Sequence, residues 1–169
     1  MSISEFDDAY EDKEIIRGAI LSTPISELAL RDPIVVDADA TVVAAVNAMN
    51  ENHTGCVLVA QAGRLAGIFT ERDVLTKVIF RDHNNAMKVD VVMTKNPETL
   101  EAHQSIAYAL NKMSVGGYRH IPIVERSGKP VGVLSVRDIV DFLVELFPDG
   151  VLNLPPSPEQ GIAKTLDGG

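Results

Sequence analysis

The sequence carries Gly67-Ile68-Phe69-Thr70-Glu71-Arg72-Asp73 and, 65 residues later, Gly132-Val133-Leu134-Ser135-Val136-Arg137-Asp138. Positions before this motif also recur, at an offset of 64 residues: Ile25, Leu28, Pro33, Thr41, Ala45 and Met49 match Val89, Val92, Pro97, Ser105, Ala109 and Met113. Self-similarity at a fixed period is the signature of a structural repeat. A cleft between two similar halves is also a natural place for a ligand.

Each copy has the same pattern of secondary-structure signals. A short extended piece follows a proline, and a helix follows with apolar residues at i, i+3, i+4 and i+7. A β-hairpin and a second helix complete the copy. The predicted extended pieces and hairpin strands are 33–36, 56–60 and 65–69 in the first copy, and 97–100, 121–124 and 131–134 in the second. The order β-α-β-β-α therefore occurs twice, which predicts a mixed α/β (α+β) fold.

Details of the turns and helix starts support this pattern. The hairpins are predicted to turn at Ala62-Gly63 and through Ser127-Gly128. Thr41 and Ser105 each stand just before a helical stripe, where a hydroxyl can cap free backbone amides. The closing helices are marked by apolar residues at Val74, Leu75, Val78 and Ile79, and at Ile139, Leu143, Leu146 and Phe147.

The repeats divide the chain into four parts. Residues 1–24 are predicted to form an acidic amphipathic helix, with Phe6, Tyr10, Ile15, Ile16 and Ala19 on its apolar side, packed on the repeats or on a partner chain. The first repeat covers 25–80 and the second 89–147. Residues 148–169 are predicted to form a Pro-rich extended tail, because Pro155, Pro156 and Pro158 exclude a helix there. The alternative is a strap laid over a neighbouring subunit.

Composition excludes several function classes. The net charge of −9 predicts no nucleic-acid partner, because phosphate contacts need basic residues. No apolar run is long enough to span a membrane, and the acidic N-terminus does not resemble a signal peptide, so we expect a cytoplasmic protein without a membrane partner. The single cysteine, Cys56, excludes an intrachain disulfide and is predicted to be a small buried hydrophobe.

The repeated motif has residue types that suit a sugar phosphate. Gly67 and Gly132 allow close approach of another backbone or of a flat base. Thr70 and Ser135 stand at a helix N-cap, where free amides favour a phosphate or ribose oxygen. The aspartates three residues later could accept hydrogen bonds from two adjacent ribose hydroxyls. The alternative is a capping box, which only stabilises the start of a helix.

A second feature distinguishes the two copies. Arg119 and His120 follow two glycines and precede a predicted strand, so they could hold a phosphate. The alternative is a surface arginine beside a partly buried histidine. The matching stretch of the first copy, 54–59, has no basic residue, which predicts two unequal sites.

Taken together, these motifs resemble a tandem pair of CBS (cystathionine β-synthase) domains in the small stand-alone bacterial form. The resemblance rests on 89–97, 118–124 and 132–138, and in the first copy on 33–36 and 67–73. The first copy departs from the family pattern at Ala29-Leu30 and at Gly55-Cys56. The resemblance implies two intertwined β-α-β-β-α repeats forming one CBS-pair module with two clefts.

The resemblance also implies a ligand and roles for individual residues. The expected ligand is an adenine nucleotide (AMP, ADP or ATP) or a related adenosyl compound, with no obligatory cofactor or metal. Ribose would contact Asp73 and Asp138, and ribose or phosphate would contact Thr70 and Ser135. Phosphate would contact Arg119 and His120, Thr94 would line a cleft, and backbone near Val35 and Leu100 would hold the base. Gly67 and Gly132 complete the predicted ligand-binding set.

The leading functional hypothesis is therefore a non-catalytic regulatory sensor. We expect it to form a homodimer and to regulate a separate, unidentified protein, with ligand binding read out as a population shift. The alternative is a ligand-silent dimerisation or interaction module whose motifs only cap helices. An enzyme acting on nucleotides is disfavoured, because no nucleophile–base pair, metal cluster or P-loop is visible in the sequence.

Overall fold

The computed structural model describes residues 3–79 and 86–146, with side chains described from residue 13 onward. The helices are α1 (Ile3–Ser22), α2 (Val42–Glu51), α3 (Glu71–Asp73), α4 (Ile106–Gly116) and α5 (Val136–Leu146). The strands are β1 (Val35–Asp37), β2 (Cys56–Gln61), β3 (Arg64–Thr70), β4 (Thr94–Lys95), β5 (His120–Val124) and β6 (Pro130–Ser135). A 3-10 turn opens each copy, at Ile25–Glu27 and at Val89–Val91.

The strands form two sheets that are linked by an exchange between the copies. One sheet has the order β1-β2-β3-β4, and the other pairs β5 with β6. Strand β4 comes from the second copy but pairs antiparallel with β3 of the first. In return, Arg31 of the first copy bridges to Val133 in β6. The predicted mixed fold of two intertwined repeats is therefore confirmed.

Backbone hydrogen bonds at the helix starts repeat this exchange. The Ile106 amide at the start of α4 donates to the carbonyl of Thr23 at 3.0 Å, and the Val42 amide at the start of α2 donates to Met87 at 2.8 Å. The first amides of a helix have no partner within the helix. The segment just before each copy therefore satisfies a free amide of the other copy, which ties the two copies into one folding unit.

The apolar core is divided in the same crossed way. Ile25 and Leu28 of the first copy are buried in the core of the second, beside Ile106 and Met113. Val89 and Val92 of the second copy are buried in the core of the first, with Val42, Ala45, Met49, Val57, Val59 and Phe69. Because the i, i+3 pair of each 3-10 turn is buried in the opposite core, neither copy has a complete core alone.

Most predicted elements are confirmed within one or two residues, including both hairpins and the i, i+3, i+4, i+7 helices. Thr41 accepts a hydrogen bond from the Ala44 amide at 3.1 Å, as a capping residue should. Cys56 is buried, as predicted. Helix α1 contacts α4, with Ile16 and Ala19 partly buried, whereas Ile15, expected on the same apolar side, is exposed.

Three predictions about local structure were wrong. The second copy has no opening strand, only a bridge from Leu100 to Ile123; Glu98, a poor strand former, stands where the first copy has the β-forming Ile34. Ser105 occupies the N-cap position of α4 but its side chain makes no capping hydrogen bond. The closing helix of the first copy is not a regular α-helix, since α3 continues as a π-helical segment, Val74–Val78, in which the Ile79 amide donates to Val74 at 3.1 Å.

Several predictions concern parts of the chain outside the described residues. These are the side chains of Phe6 and Tyr10, the helix end at Phe147 and the tail 148–169. Phe80, the last residue of the predicted first repeat, is also outside them. Of the helices in the described ranges, none has the length and hydropathy needed to cross a membrane.

Candidate functional site

A cavity of about 450 Å³ lies where the two copies meet. Its wall combines the opening segment and the α2–β2 loop of the first copy with the start of β5 and the β6–α5 corner of the second. The lining residues are Arg31, Asp32, Pro33, Ile34, Asn52, His53, Thr54, Gly55, Cys56, Arg119, His120, Val133, Ser135, Val136, Arg137 and Asp138. Its volume is within the usual range for small-molecule sites.

The β6–α5 corner contributes the carboxylate of Asp138 to this cavity. Its Oδ2 accepts hydrogen bonds from the Ser135 amide at 2.6 Å and from the Ser135 hydroxyl at 2.7 Å. The Ser135 hydroxyl in turn accepts from the Asp138 amide at 3.3 Å. This is the reciprocal geometry of a capping box. Within residues 3–79 and 86–146, Oδ1 of Asp138 has no hydrogen bond or ion pair, so it remains available as an acceptor.

Three arginines give the cavity a positive side. Arg137 pairs with Asp141 on its own helix, at 3.7 Å. Arg31 and Arg119 are exposed and form no ion pair with any described residue. Asp32, also exposed, is the only other acid besides Asp138 among the lining residues. Two unpaired guanidinium groups beside an open carboxylate oxygen are suited to an anionic ligand that also carries hydroxyl groups.

Burial controls the protonation of two further cavity residues. The pKa of His120 is lowered, chiefly because burial disfavours the charged imidazolium; Asp138 and Glu71 oppose this effect. His120 is therefore neutral at pH 7 and can donate one hydrogen bond and accept another. Burial raises the pKa of Cys56 to about 11, so this residue stays a thiol. A protonated buried thiol is a poor nucleophile.

The corresponding corner of the first copy, β3–α3, is built in the same way but differs in its surroundings. Oδ2 of Asp73 accepts from the amide and the hydroxyl of Thr70, both at 2.9 Å. Oδ1, however, lies 2.6 Å from Nζ of Lys77. The side chain of Asp73 is only 9% exposed, so both of its oxygens are engaged inside the protein.

The structure brings together four of the predicted site residues: Asp138, Ser135, Arg119 and His120 all line the cavity. Thr70 and Asp73 form the other corner. The remaining five predicted residues do not line the cavity: Gly67, Gly132, Val35, Thr94 and Leu100.

The positions of these five have physical reasons. Thr94 is paired with Ile68 in β4, and its carbonyl oxygen fills the space in front of Gly67. Leu100 is buried, and both its backbone groups are used in the sheet: its amide donates to Pro122 at 3.1 Å and its carbonyl accepts from Val124 at 2.9 Å. Gly132 is covered by Leu30. Val35 lies next to the cavity residue Ile34, on the edge strand β1.

Sequence reasoning missed the contribution of the first copy to this cavity. Arg31, Asp32 and Thr54 line the same cavity as the Asp138 corner, although they are more than 80 residues away in sequence. The crossing of the opening segments brings Arg31 and Asp32 there, and the α2–β2 loop brings Thr54. The signal available in the sequence was that Arg31 matches Lys95 at the 64-residue offset, so both copies have a cation before the proline.

Comparison with known proteins identifies the family. The sequence profile of the CBS domain matches twice, at residues 25–79 and 88–145. The chain therefore belongs to the CBS-domain family and carries a tandem pair of these domains. It is 31% identical over 127 residues to an uncharacterised 17.7 kDa protein of Acidianus ambivalens, covering 75% of this chain and 76% of the relative. It spans only 20% of the length of some plant relatives, such as CBSCBSPB5 of Arabidopsis thaliana.

Solved structures agree with this assignment. A CBS-domain protein of Agrobacterium tumefaciens superimposes with a TM-score of 0.65 at 30% identity, covering 71% of this chain and 98% of that one. A CBS domain protein of Pyrobaculum aerophilum in complex with AMP superimposes with a TM-score of 0.66 at 27% identity, covering 73% of this chain and 98% of that one.

Proposed function

We propose that this protein is a regulatory module that binds an adenine nucleotide, or a related adenosyl compound, in the cavity beside Asp138. One observation carries the proposal: a cavity between the two copies combines an open carboxylate oxygen with two unpaired guanidinium groups. The similarity to a CBS domain protein in complex with AMP supports the choice of ligand class.

The cavity residues divide naturally among the parts of a nucleotide. Oδ1 of Asp138 accepts hydrogen bonds from ribose hydroxyls, because Oδ2 is already used by Ser135. Arg31 and Arg119 bind the phosphate, which guanidinium groups contact in a bidentate way. The apolar side chains of Ile34, Val133 and Val136 contact the base. The hydroxyl of Ser135 stays in the capping box and orients Asp138.

The proposed role is regulatory rather than catalytic. His120 is neutral and Cys56 is a protonated thiol, and the cavity residues do not form a nucleophile–base pair. Ligand binding would instead favour one arrangement of the two copies over another, which is a population shift. The protein would act as a homodimer in the cytoplasm and would regulate a separate protein.

Calorimetric titration with AMP, ATP, adenosine and S-adenosylmethionine tests this function. A ligand selective for the folded state stabilises it by about 2.7 kcal/mol at a concentration hundredfold above Kd. This corresponds to a rise in Tm of about 5–10 °C for a chain of this size. We expect Asp138→Ala to weaken binding at least about tenfold, since a hydrogen bond to a charged group contributes about 1.5–3 kcal/mol. Glu145→Ala, which removes an exposed acid from the same helix, is the matched control and should bind as the wild type does.

A ligand-silent interaction module is the second candidate, and one observation favours it. Both corners form complete capping boxes, so the repeated motif has a structural use without any ligand. Absence of heat and of any Tm shift with all four compounds at millimolar concentration would support this candidate and reject the sensor. Binding that is unchanged in Asp138→Ala would place the ligand elsewhere.

A further inference from the structure

The second cleft expected from the repeat would lie beside Asp73. Applying the 64- and 65-residue offsets to the cavity lining gives its residues: Lys95, Asn96, Pro97, Glu98, Gly116, Gly117, Tyr118, Ile68, Thr70, Glu71, Arg72 and Asp73, together with Gly55, Cys56, Arg119 and His120, which map onto one another and so belong to both linings. In this region the side chains make contacts with each other that their counterparts in the Asp138 cavity do not make.

The first of these contacts is made by Lys77. Its Nζ lies 2.6 Å from Oδ1 of Asp73 and donates to the carbonyl oxygen of Val92 at 3.0 Å. Oδ1 of Asp73 is the atom that corresponds to the open Oδ1 of Asp138. Because Oδ2 accepts two hydrogen bonds from Thr70, and Oδ1 is paired with Lys77 in a side chain only 9% exposed, neither oxygen is open to a ligand hydroxyl. The π-helical segment Val74–Val78 carries this lysine.

The second contact ties the α3 side of this region to the end of α4. Nη1 of Arg72 donates to the carbonyl oxygen of Gly117 at 3.2 Å. The ring of Tyr118 lies over Gly116, where it fills the position that a Cβ would take. The Arg72–Gly117 hydrogen bond therefore joins two elements whose matching residues in the other half of the molecule, Arg137 and His53, both line the open cavity.

The second copy has neither contact. The residue that matches Lys77 is Phe142, which packs on the apolar core and has no charge to offer Asp138. The residue that matches Arg72 is Arg137, which pairs with Asp141 on its own helix at 3.7 Å. The two corners therefore share their capping boxes and differ in whether a basic side chain closes the cleft.

We propose that Lys77 is an internal occupant of the second cleft, so that the chain binds one nucleotide, at Asp138, and that removing this lysine opens a second nucleotide site at Asp73. This inference rests on the proposed function of the Asp138 cavity. Lys77 is then the residue that sets ligand stoichiometry, and Arg72 assists by holding the cleft closed.

Calorimetric titration of the full chain with AMP counts the sites. We expect one AMP per chain for the wild type, none for Asp138→Ala, two for Lys77→Met and one for the double variant Asp138→Ala/Lys77→Met. Adding Asp73→Ala to that double variant should abolish the remaining binding. Methionine keeps the length and flexibility of lysine without its charge. Circular dichroism and Tm establish that each variant is folded, and Lys77→Gln replaces Lys77→Met if the latter is not.

Two controls separate the charge of Lys77 from general effects. Lys88 forms an ion pair with Asp39, away from both clefts, so Lys88→Met removes the same charge and should still bind one AMP. Lys77→Arg keeps the cation and should also bind one. The reciprocal variant Phe142→Lys brings a cation four residues after Asp138, and we expect it to weaken AMP binding at least tenfold.

The outcomes distinguish this inference from the proposed function. Two AMP molecules per wild-type chain, or no binding by a folded Asp138→Ala/Lys77→Met chain while the wild type binds one, would overturn the role of Lys77 and leave the Asp138 site intact. No binding by the wild type would reject the proposed function for AMP. In that case, a gain of one site in Lys77→Met would still support the inference, and no gain would reject it.

Discussion

The β3–α3 and β6–α5 corners have the same capping box but different environments. In both, one aspartate oxygen accepts from the backbone amide and the hydroxyl of the N-cap residue. At the first corner Lys77 engages the other oxygen, and at the second corner that oxygen faces a cavity. The shared motif therefore builds the corner, whereas a residue four positions later determines whether the corner has a free acceptor.

The strands paired with the two corners differ as well, since Cys56 lies beside Thr70 and His120 lies beside Ser135. The position before the central strand is Gly55 in the first copy and Arg119 in the second, and the next position is Cys56 or His120. Gly55 has little space around it, since a Cβ there would lie 3.3 Å from Oε2 of Glu71 and 3.7 Å from the ring of His120. Gly55, Cys56, Arg119 and His120 all line the Asp138 cavity, so the second copy supplies its basic groups and the first copy supplies only small uncharged ones at these positions.

The largest expected contrast concerns the stability contribution of the two aspartates. Asp73→Ala removes a nearly buried carboxylate and leaves Lys77 and the Thr70 amide without it, so we expect a loss of about 2–3 kcal/mol. Asp138→Ala removes only the capping interactions, worth about 1 kcal/mol. Denaturant unfolding measures both. AMP binding should show the reverse order, with Asp138→Ala weakening it more than Asp73→Ala does. Equal losses of stability in the two variants would contradict the comparison.

The paired glycines of the motif should also differ. A Cβ on Gly67 would lie 2.9 Å from the carbonyl oxygen of Thr94 and would overlap the side chain of Met93, so Gly67→Ala forces β4 to move. We expect a loss of about 1–3 kcal/mol, as for other overpacking changes. A Cβ on Gly132 would lie 3.4 Å from Cδ1 of Leu30, an ordinary contact.

Thermal unfolding of Gly67→Ala and Gly132→Ala compares the two sites directly. Gly132→Ala should change Tm little, and Gly67→Ala should lower it clearly. If both alanines are tolerated, the close crossing of β4 over the first copy is not as tight as its contacts indicate.

The helix caps give a smaller contrast. Thr41 caps α2 through its hydroxyl, so Thr41→Ala should destabilise the protein by about 1 kcal/mol. Ser105 makes no such bond, and we expect Ser105→Ala to change stability by less than about 0.5 kcal/mol. Chemical denaturation of the two alanine variants is the measurement. A similar loss in both would mean that the Ser105 hydroxyl caps α4 in solution.

Local elements and the repeated fold could be predicted from the sequence because they depend on short-range patterns. The stripe that includes Val42 and Ala45 forms α2, and Ala62-Gly63 forms a hairpin turn with positive φ at both residues, 51° and 76°. Strand β4 was missed because Thr94 and Lys95 carry no strand pattern, and their pairing partner lies in the other copy.

The candidate site was predictable only in part, for a related reason. The Asp138 corner and Arg119 lie on one copy and stand out in its sequence. Arg31 belongs to the same cavity only because the opening segments cross, which a one-dimensional pattern does not show. The contact of Lys77 with Asp73 depends on side-chain direction in a π-helical segment, and the apolar spacing of this region predicted a regular helix instead.

Cys56 and His120 occupy matching positions in the two copies. The smallest expected effect is a difference in how they make stability depend on pH. The pKa of His120 is lowered by burial, and Arg119 adds to this, whereas Asp138 and Glu71 oppose it. The unfolded chain, in which a histidine has a pKa of about 6.5, therefore binds a proton more readily than the folded chain. Stability should fall as the pH drops below about 6.5 and stop falling, as far as His120 is concerned, below its lowered pKa.

Urea unfolding at a series of pH values from 7.5 to 5 (a range of about 2.5 units) detects this contribution of His120. His120→Gln should reduce the loss of stability on acidification, because glutamine does not titrate. Cys56, with a pKa of about 11, contributes nothing in this range. Identical pH profiles for the wild type and His120→Gln would show that the imidazole has the same pKa in the folded and the unfolded chain. The proposal that His120 is a neutral hydrogen-bonding group in the cavity would then be wrong.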